Sequence, residues 1–167
     1  MPEIRVKHNV AGATQPPARP AIPPAIYEAL IANVTDGMTT MSPPRMKITI
    51  EYQLVKRAED GNEEFKGRRV YQDYIIEPGG NDMDAREAWR LKQVLDAVKC
   101  VYRMEDEQTI FNTDHLIGKY VKIDVRKRIG KLKPEEMALP VEKRPAPPEF
   151  NRIDRVDSIS VNEDELV

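Results

Sequence analysis

Seven cations fall within fifteen residues: Lys119, Lys122, Arg126, Lys127, Arg128, Lys131 and Lys133, opposed only by Asp124. Cations at that density neutralise phosphates and release the counterions condensed on a nucleic acid. Tyr120 sits inside the run, and an aromatic ring stacks on a base whatever its identity. Alternation puts Tyr120, Lys122, Asp124 and Arg126 on one strand face and Val121, Ile123 and Val125 on the other. A second group, Lys66, Arg68, Arg69, Tyr71 and Tyr74, repeats the mixture of cation and ring. Tyr71 and Tyr74 are an odd number of residues apart, so at most one of them faces a ligand. The competing reading is ordinary: Lys and Arg on outer strand faces serve solubility and edge protection.

Other chemistry finds little support. Gly79-Gly80 lacks the later glycine and lysine of a phosphate loop. No serine lies in a nucleophile elbow. His8 and His115 are far apart, with no cysteine cluster beside them, so neither a zinc site nor any other metal or cofactor is expected. Glu63-Glu64 and Glu135-Glu136 sit in polar stretches and read as solvated loop charges rather than acid/base pairs. The expectation is a protein that is not an enzyme.

The chain has 167 residues, 40% hydrophobic and 32% charged, with a formal net charge of -2. That length suits one domain. The net charge by itself opposes a basic nucleic-acid binder, but the charges are unevenly placed. A single cysteine, Cys100, allows no internal disulfide and reads as a small core residue at a helix end. No apolar run is long enough to span a membrane, and no apolar signal core follows Met1-Pro2-Glu3. A cytoplasmic location is expected.

The elements that position the cations follow from pattern. Residues 1–24 are proline-rich and read as a flexible or polyproline-like arm. Ile26 to Val34 reads as a strand with Leu30, Ala32 and Val34 on its apolar face. Met46 to Leu54 alternates strictly, placing Lys47 on the polar side and Tyr52 on the apolar side. Asp60-Gly61 marks a hairpin turn before a return strand over Gly67 to Ile76. Asp84 and Glu87 have the spacing of a helix cap and its reciprocal acid. The helix runs to about Lys99, with Ala88, Leu91, Leu95 and Val98 as its stripe, widened by Trp89 and Val94. Trp89 reads as a core or barrel-plug residue. Val101 to Phe111 is mixed. Thr113-Asp114 caps a short turn ended by Gly118, and Tyr120 to Arg126 is the fourth strand. A long proline-containing connection, Ile129 to Glu149, leads to a weaker strand over Asn151 to Ile159. There Ile153, Val156 and Ile159 are spaced by three, the mark of a bulge or an edge. An acidic tail over 158–167 holds Glu163, Asp164, Glu165, Leu166 and Val167, suited to docking on a partner, to competing for the basic face, or to solubility alone.

Three strands, a helix and two strands predict a mainly β protein, a five-stranded OB-type barrel over residues 25–157, with the helix plugging one end. A generic α+β sandwich uses the same elements. The segments Lys66-Gly67-Arg68-Arg69-Val70-Tyr71, Ala88 to Ala97, Leu116-Ile117-Gly118-Lys119-Tyr120-Val121 and Asn151-Arg152-Ile153 together resemble a family of small bacteriophage proteins. The resemblance covers about residues 25–157. It implies an OB-fold protein that binds single-stranded DNA or takes part in recombination. The tail is similar to the partner-docking tails of single-strand-binding proteins, except that it ends in Val167 where those end in phenylalanine.

The expectation is a binder of single-stranded DNA with little sequence preference, serving phage replication or recombination. Its contact residues would be Lys47, Arg68, Arg69, Tyr71, Lys119, Tyr120, Lys122, Arg126, Lys127 and Arg128. Two rivals stand beside it: an assembly module that binds protein partners through its tail, and an RNA binder.

Overall fold

Alternating apolar residues build one long antiparallel sheet. The computed structural model describes residues 3–5, 7, 11, 21–80 and 83–159. The acidic tail, Glu163 to Val167, and most of the proline-rich arm lie outside these residues. The strands are β1 (Ala25–Met38), β2 (Met46–Arg57) and β3 (Arg69–Ile75), then helix α1 (Met83–Ala97). A small hairpin of β4 (Tyr102–Glu105) and β5 (Gln108–Phe111) follows, then β6 (Tyr120–Ile129), the single turn α2 (Pro134–Met137) and β7 (Glu149–Ser158). The main sheet has the order β3-β2-β1-β6-β7, with every neighbouring pair antiparallel.

The core lies on one face of this sheet. Strand β2 buries Ile48, Ile50, Tyr52 and Leu54, as its alternation predicts, and β6 buries Val121, Ile123 and Val125. On β1 the buried residues are Tyr27, Ala29 and Ile31, not the expected set of Leu30, Ala32 and Val34. The register explains the difference. Ile31 pairs with Tyr52 and Asn33 with Glu51, leaving Ala32 as an extra residue. That bulge reverses the alternation, so Val34 turns inward beside Ile50 while the residues before it follow the opposite phase. The spacing of Ile153 and Val156 has the same origin. Val125 pairs with Ile153 and Asp124 with Arg155, so Asp154 is the bulged residue of β7.

Helix α1 docks through its C-terminal half. Val94 and Leu95 are buried, Leu91, Ala97 and Val98 pack at the margin, and Cys100 is buried just beyond the helix. Ala88 and Trp89 are exposed, Trp89 by 56%, so Trp89 is not a plug. Asp84 lies inside the first turn instead of capping it. Its carboxylate reaches back to accept from the Gly79 and Gly80 N–H groups, both at 2.8 Å. The mixed segment before Phe111 is the β4–β5 hairpin, whose turn residues Asp106 and Glu107 both have positive φ. That turn lacks the glycine that usually announces it in a sequence.

Backbone pairing of the main sheet ends at β3 and at β7, so the hydrogen-bonded sheet does not close. These two edges nevertheless meet. The Ile153 N–H donates to the Gln72 Oε1 at 3.0 Å, and α1 packs on both strands.

Inside the core the Tyr52 and Tyr74 hydroxyls are hydrogen-bonded at 2.7 Å, and both rings are buried. The Arg90 guanidinium lies 5.5 Å from the centre of the Tyr74 ring. Burial pushes the Tyr74 phenol up to about 12 from its ordinary 10.0, and burial with the neighbouring Tyr74 pushes Tyr52 up as well. Tyr74→Phe or Tyr52→Phe alone leaves a buried hydroxyl unpaired and should cost about 1–3 kcal/mol in urea unfolding, while the double substitution should cost less than the two singles added. Both phenols ionise near pH 10.0 in the unfolded chain, whereas in the folded chain Tyr74 ionises only near 12 and Tyr52 is also raised, so stability should fall as pH rises above about 10. The double variant should lose that part of the pH dependence, followed by circular dichroism.

Candidate nucleic-acid interface

The sheet's outer face carries most of the predicted contacts, at opposite sides of β1, while Lys127 shares the phase of Val121, Ile123 and Val125 and Lys119 precedes β6 beside Asp114 and His115. Lys47, Arg69 and Tyr71 belong to the β2–β3 side. Tyr120, Lys122, Arg126 and Arg128 line β6. One row connects them, because Arg69 pairs with Gln53, Gln53 with Leu30, and Leu30 with Tyr120. Three strand spacings separate Arg69 from Tyr120, about 14 Å.

The β2–β3 side is internally neutralised. Glu51 accepts from Arg69 Nη1 and from the Tyr71 hydroxyl, each at 2.8 Å. The hydrogen bond to Glu51 pushes the Arg69 guanidinium above its ordinary value. Asp73 holds Lys47 Nζ at 2.7 Å and the Thr49 hydroxyl at 2.6 Å. Partial burial works against that carboxyl, yet the bonds from Lys47 and Thr49 keep it below its ordinary value. Tyr71 remains 57% exposed, whereas Tyr74 is buried. Arg68 precedes β3, where its N–H bonds the Phe65 carbonyl at 3.0 Å.

The β6–β7 side is different. Strand β1 begins at Ala25, which pairs with Val125. Beyond that point β6 and β7 continue as a two-stranded ribbon with no third strand beside it among the described residues. Its pairs are Arg126 with Arg152, Lys127 with Asn151, Arg128 with Phe150, and Ile129 with Glu149. Residues directly opposite share a face, so Arg126, Arg128, Phe150 and Arg152 stand together. The ribbon is exposed apart from Asn151, which is half-buried. Apart from Asn151, the ribbon covers no core among the described residues, so its positions can be polar.

Some of these charges are shared. Asp124 grips Arg126 with two bonds, at 2.9 and 3.1 Å, and this hydrogen bonding pushes the guanidinium up. Asp154 contacts Arg152 at 3.0 Å and Arg126 at 4.0 Å, and Lys127 meets Glu149 at 3.5 Å. Lys119, Lys122 and Arg128 make no ion pair among the described residues. Residues 119–158 hold eleven cations against seven carboxylates, so this stretch is positive in a chain that is negative overall. Arg152 and Phe150 belong to the site, and sequence reasoning missed them. Their placement depends on the β6–β7 register, which the connection between those strands hides.

Asn151 ties the ribbon's base to the domain. Its side chain accepts from the Ile22 N–H and donates to the Ile22 carbonyl, both at 2.8 Å. Ile22 itself is buried, so the packed residues begin before β1. Among the described residues, no group of three or more His, Cys, Asp and Glu could hold a metal ion. No helix among them is long and apolar enough to cross a membrane. The chain matches no protein-family model and no curated protein. Asn151→Ala should leave both Ile22 backbone groups without these partners and cost about 1–3 kcal/mol. Urea unfolding measures it, and an unchanged midpoint would contradict the tie.

Proposed function

We propose that the chain binds single-stranded DNA along the outer face of β6 and β7, on an OB-type fold. The fold reading is supported by β1 pairing with both β2 and β6, by α1 lying between the third and fourth strands of the main sheet, and by the meeting of β3 with β7. The ligand reading is carried by one observation: a ribbon without a core, bearing three arginines and a ring on one face. Cations alone would hold duplex and single strand alike, whereas exposed rings add stacking that unpaired bases supply, which favours a single strand. On this reading the protein would serve phage replication or recombination, the role that the family resemblance implies.

The mechanism is electrostatic capture followed by stacking. Lys122 and Arg128 meet phosphates directly, whereas Lys119, which borders a cleft with Asp114 and His115, stands off this face. Arg126 and Arg152 exchange a carboxylate for a phosphate, which weakens their contribution relative to a free cation. The same argument makes Lys47, Arg69 and Tyr71 lesser contacts, because Glu51 and Asp73 already occupy them.

A second reading, a protein-interaction module, is favoured by Trp89. It borders an open cleft of about 280 Å³ with Gln93, Arg155 and Ser158, and an exposed tryptophan is a common contact residue at protein interfaces.

Fluorescence anisotropy with a labelled oligo(dT) at several salt concentrations tests the proposal. Binding should weaken with salt, log K falling by about 0.7 per phosphate engaged for each unit of log salt. Replacing Lys122 and Arg128 together by glutamine should lower that slope by about one to two phosphates' worth. Glu51→Gln should change affinity little. No binding at low salt would overturn the proposal, and an RNA oligonucleotide in competition identifies an RNA binder.

A further inference from the structure

We infer that Phe150 is a base-stacking residue, held in place by Gly130, and that with Tyr120 it bounds one cationic track along the outer face of β6 and β7. The inference rests on the proposed binding of single-stranded DNA.

Three observations carry it. First, Phe150 is 54% exposed although large and apolar, and it lies beside Arg128 on a ribbon without a core to bury it. Second, its ring is positioned. A Cβ built on Gly130 would lie 2.6 Å from the Phe150 Cε2 and 3.1 Å from the Pro148 Cγ. The Gly130 N–H bonds the Pro148 carbonyl at 2.8 Å, continuing the ribbon by one more bond. The Cε2–Cδ2 edge of the ring therefore packs against a bare backbone, which restricts its motion while leaving surface open. A ring restrained before binding gives up less freedom when a base stacks on it.

Third, the residues between the two rings suit a backbone. Tyr120 is 56% exposed on the same face, eight residues from Arg128 along β6. At about 3.4 Å per residue that separates the rings by about 27 Å. Lys122, Arg126, Arg128, Arg152 and Arg155 lie between or beside them, five cations against the carboxylates of Asp124, Asp154 and Asp157. Rings at the ends and cations between them form a stacking platform joined to an electrostatic groove, which fits a short single strand.

The test uses the full chain and oligo(dT). Phe150→Leu keeps an apolar side chain but removes the π-face. It should weaken binding roughly fivefold to hundredfold. The salt slope should stay unchanged, since no phosphate contact is lost. Gly130→Ala displaces the ring and should weaken binding in the same direction, again without altering the slope. Phe150→Trp, made with Trp89→Phe so that the new indole is the sole tryptophan, should retain affinity and lose emission as oligo(dT) binds. If wild-type chain binds with salt dependence while Phe150→Leu binds equally tightly and the new indole is not quenched, the inference is overturned and the functional reading survives. If wild-type chain fails to bind at low salt, both fall.

Discussion

Strand β6 outruns strand β1, and the candidate site follows from that mismatch. A strand paired on both sides and backed by a core must alternate, as Val121, Ile123 and Val125 do. Past Val125 the obligation ends, because β1 starts at Ala25. The next residues, Arg126, Lys127 and Arg128, remain a strand through pairing with β7 alone. Two antiparallel strands without a hydrophobic face are marginal in water. The ribbon is held from its base, where Asn151 clasps Ile22 and the Asp154 bulge turns Ile153 and Val156 into the core. A well-anchored base can thus support a charged, solvated extension.

The contrast with β2 and β3 is one of charge pairing. Those strands are as cationic in places and carry an exposed tyrosine. But Glu51 lies between Arg69 and Tyr71, and Asp73 lies beside Lys47 and Thr49. A ligand phosphate there must displace a carboxylate already in place, whereas Lys122 and Arg128 present no such competitor. Surface pairs of this kind contribute little to stability, so their consequence is for binding.

The strands were legible where alternation was uninterrupted. Strand β2 and the first half of β6 could be read residue by residue, and the odd spacing of Ile153 and Val156 announced a bulge. The inward face of β1 was not legible, because the bulge at Ala32 leaves both phases half-populated by apolar residues. The exposure of Trp89 was not legible either. A helical stripe says which residues can face a core, but only the last turns of α1 reach it. Of the site, the cations of β6 could be seen in sequence. Their neutralisation by carboxylates on other strands, and the company of Arg152 and Phe150, depended on register across a connection with no periodicity.

Backbone amide chemical shifts, recorded by nuclear magnetic resonance during titration with oligo(dT), test the central claim most directly. The account places the largest shifts at Lys122, at Arg126 to Ile129 and at Phe150 to Arg152, with Glu51, Arg69 and Tyr71 little moved. Shifts concentrated on Glu51, Arg69 and Tyr71, with the ribbon unchanged, would contradict it.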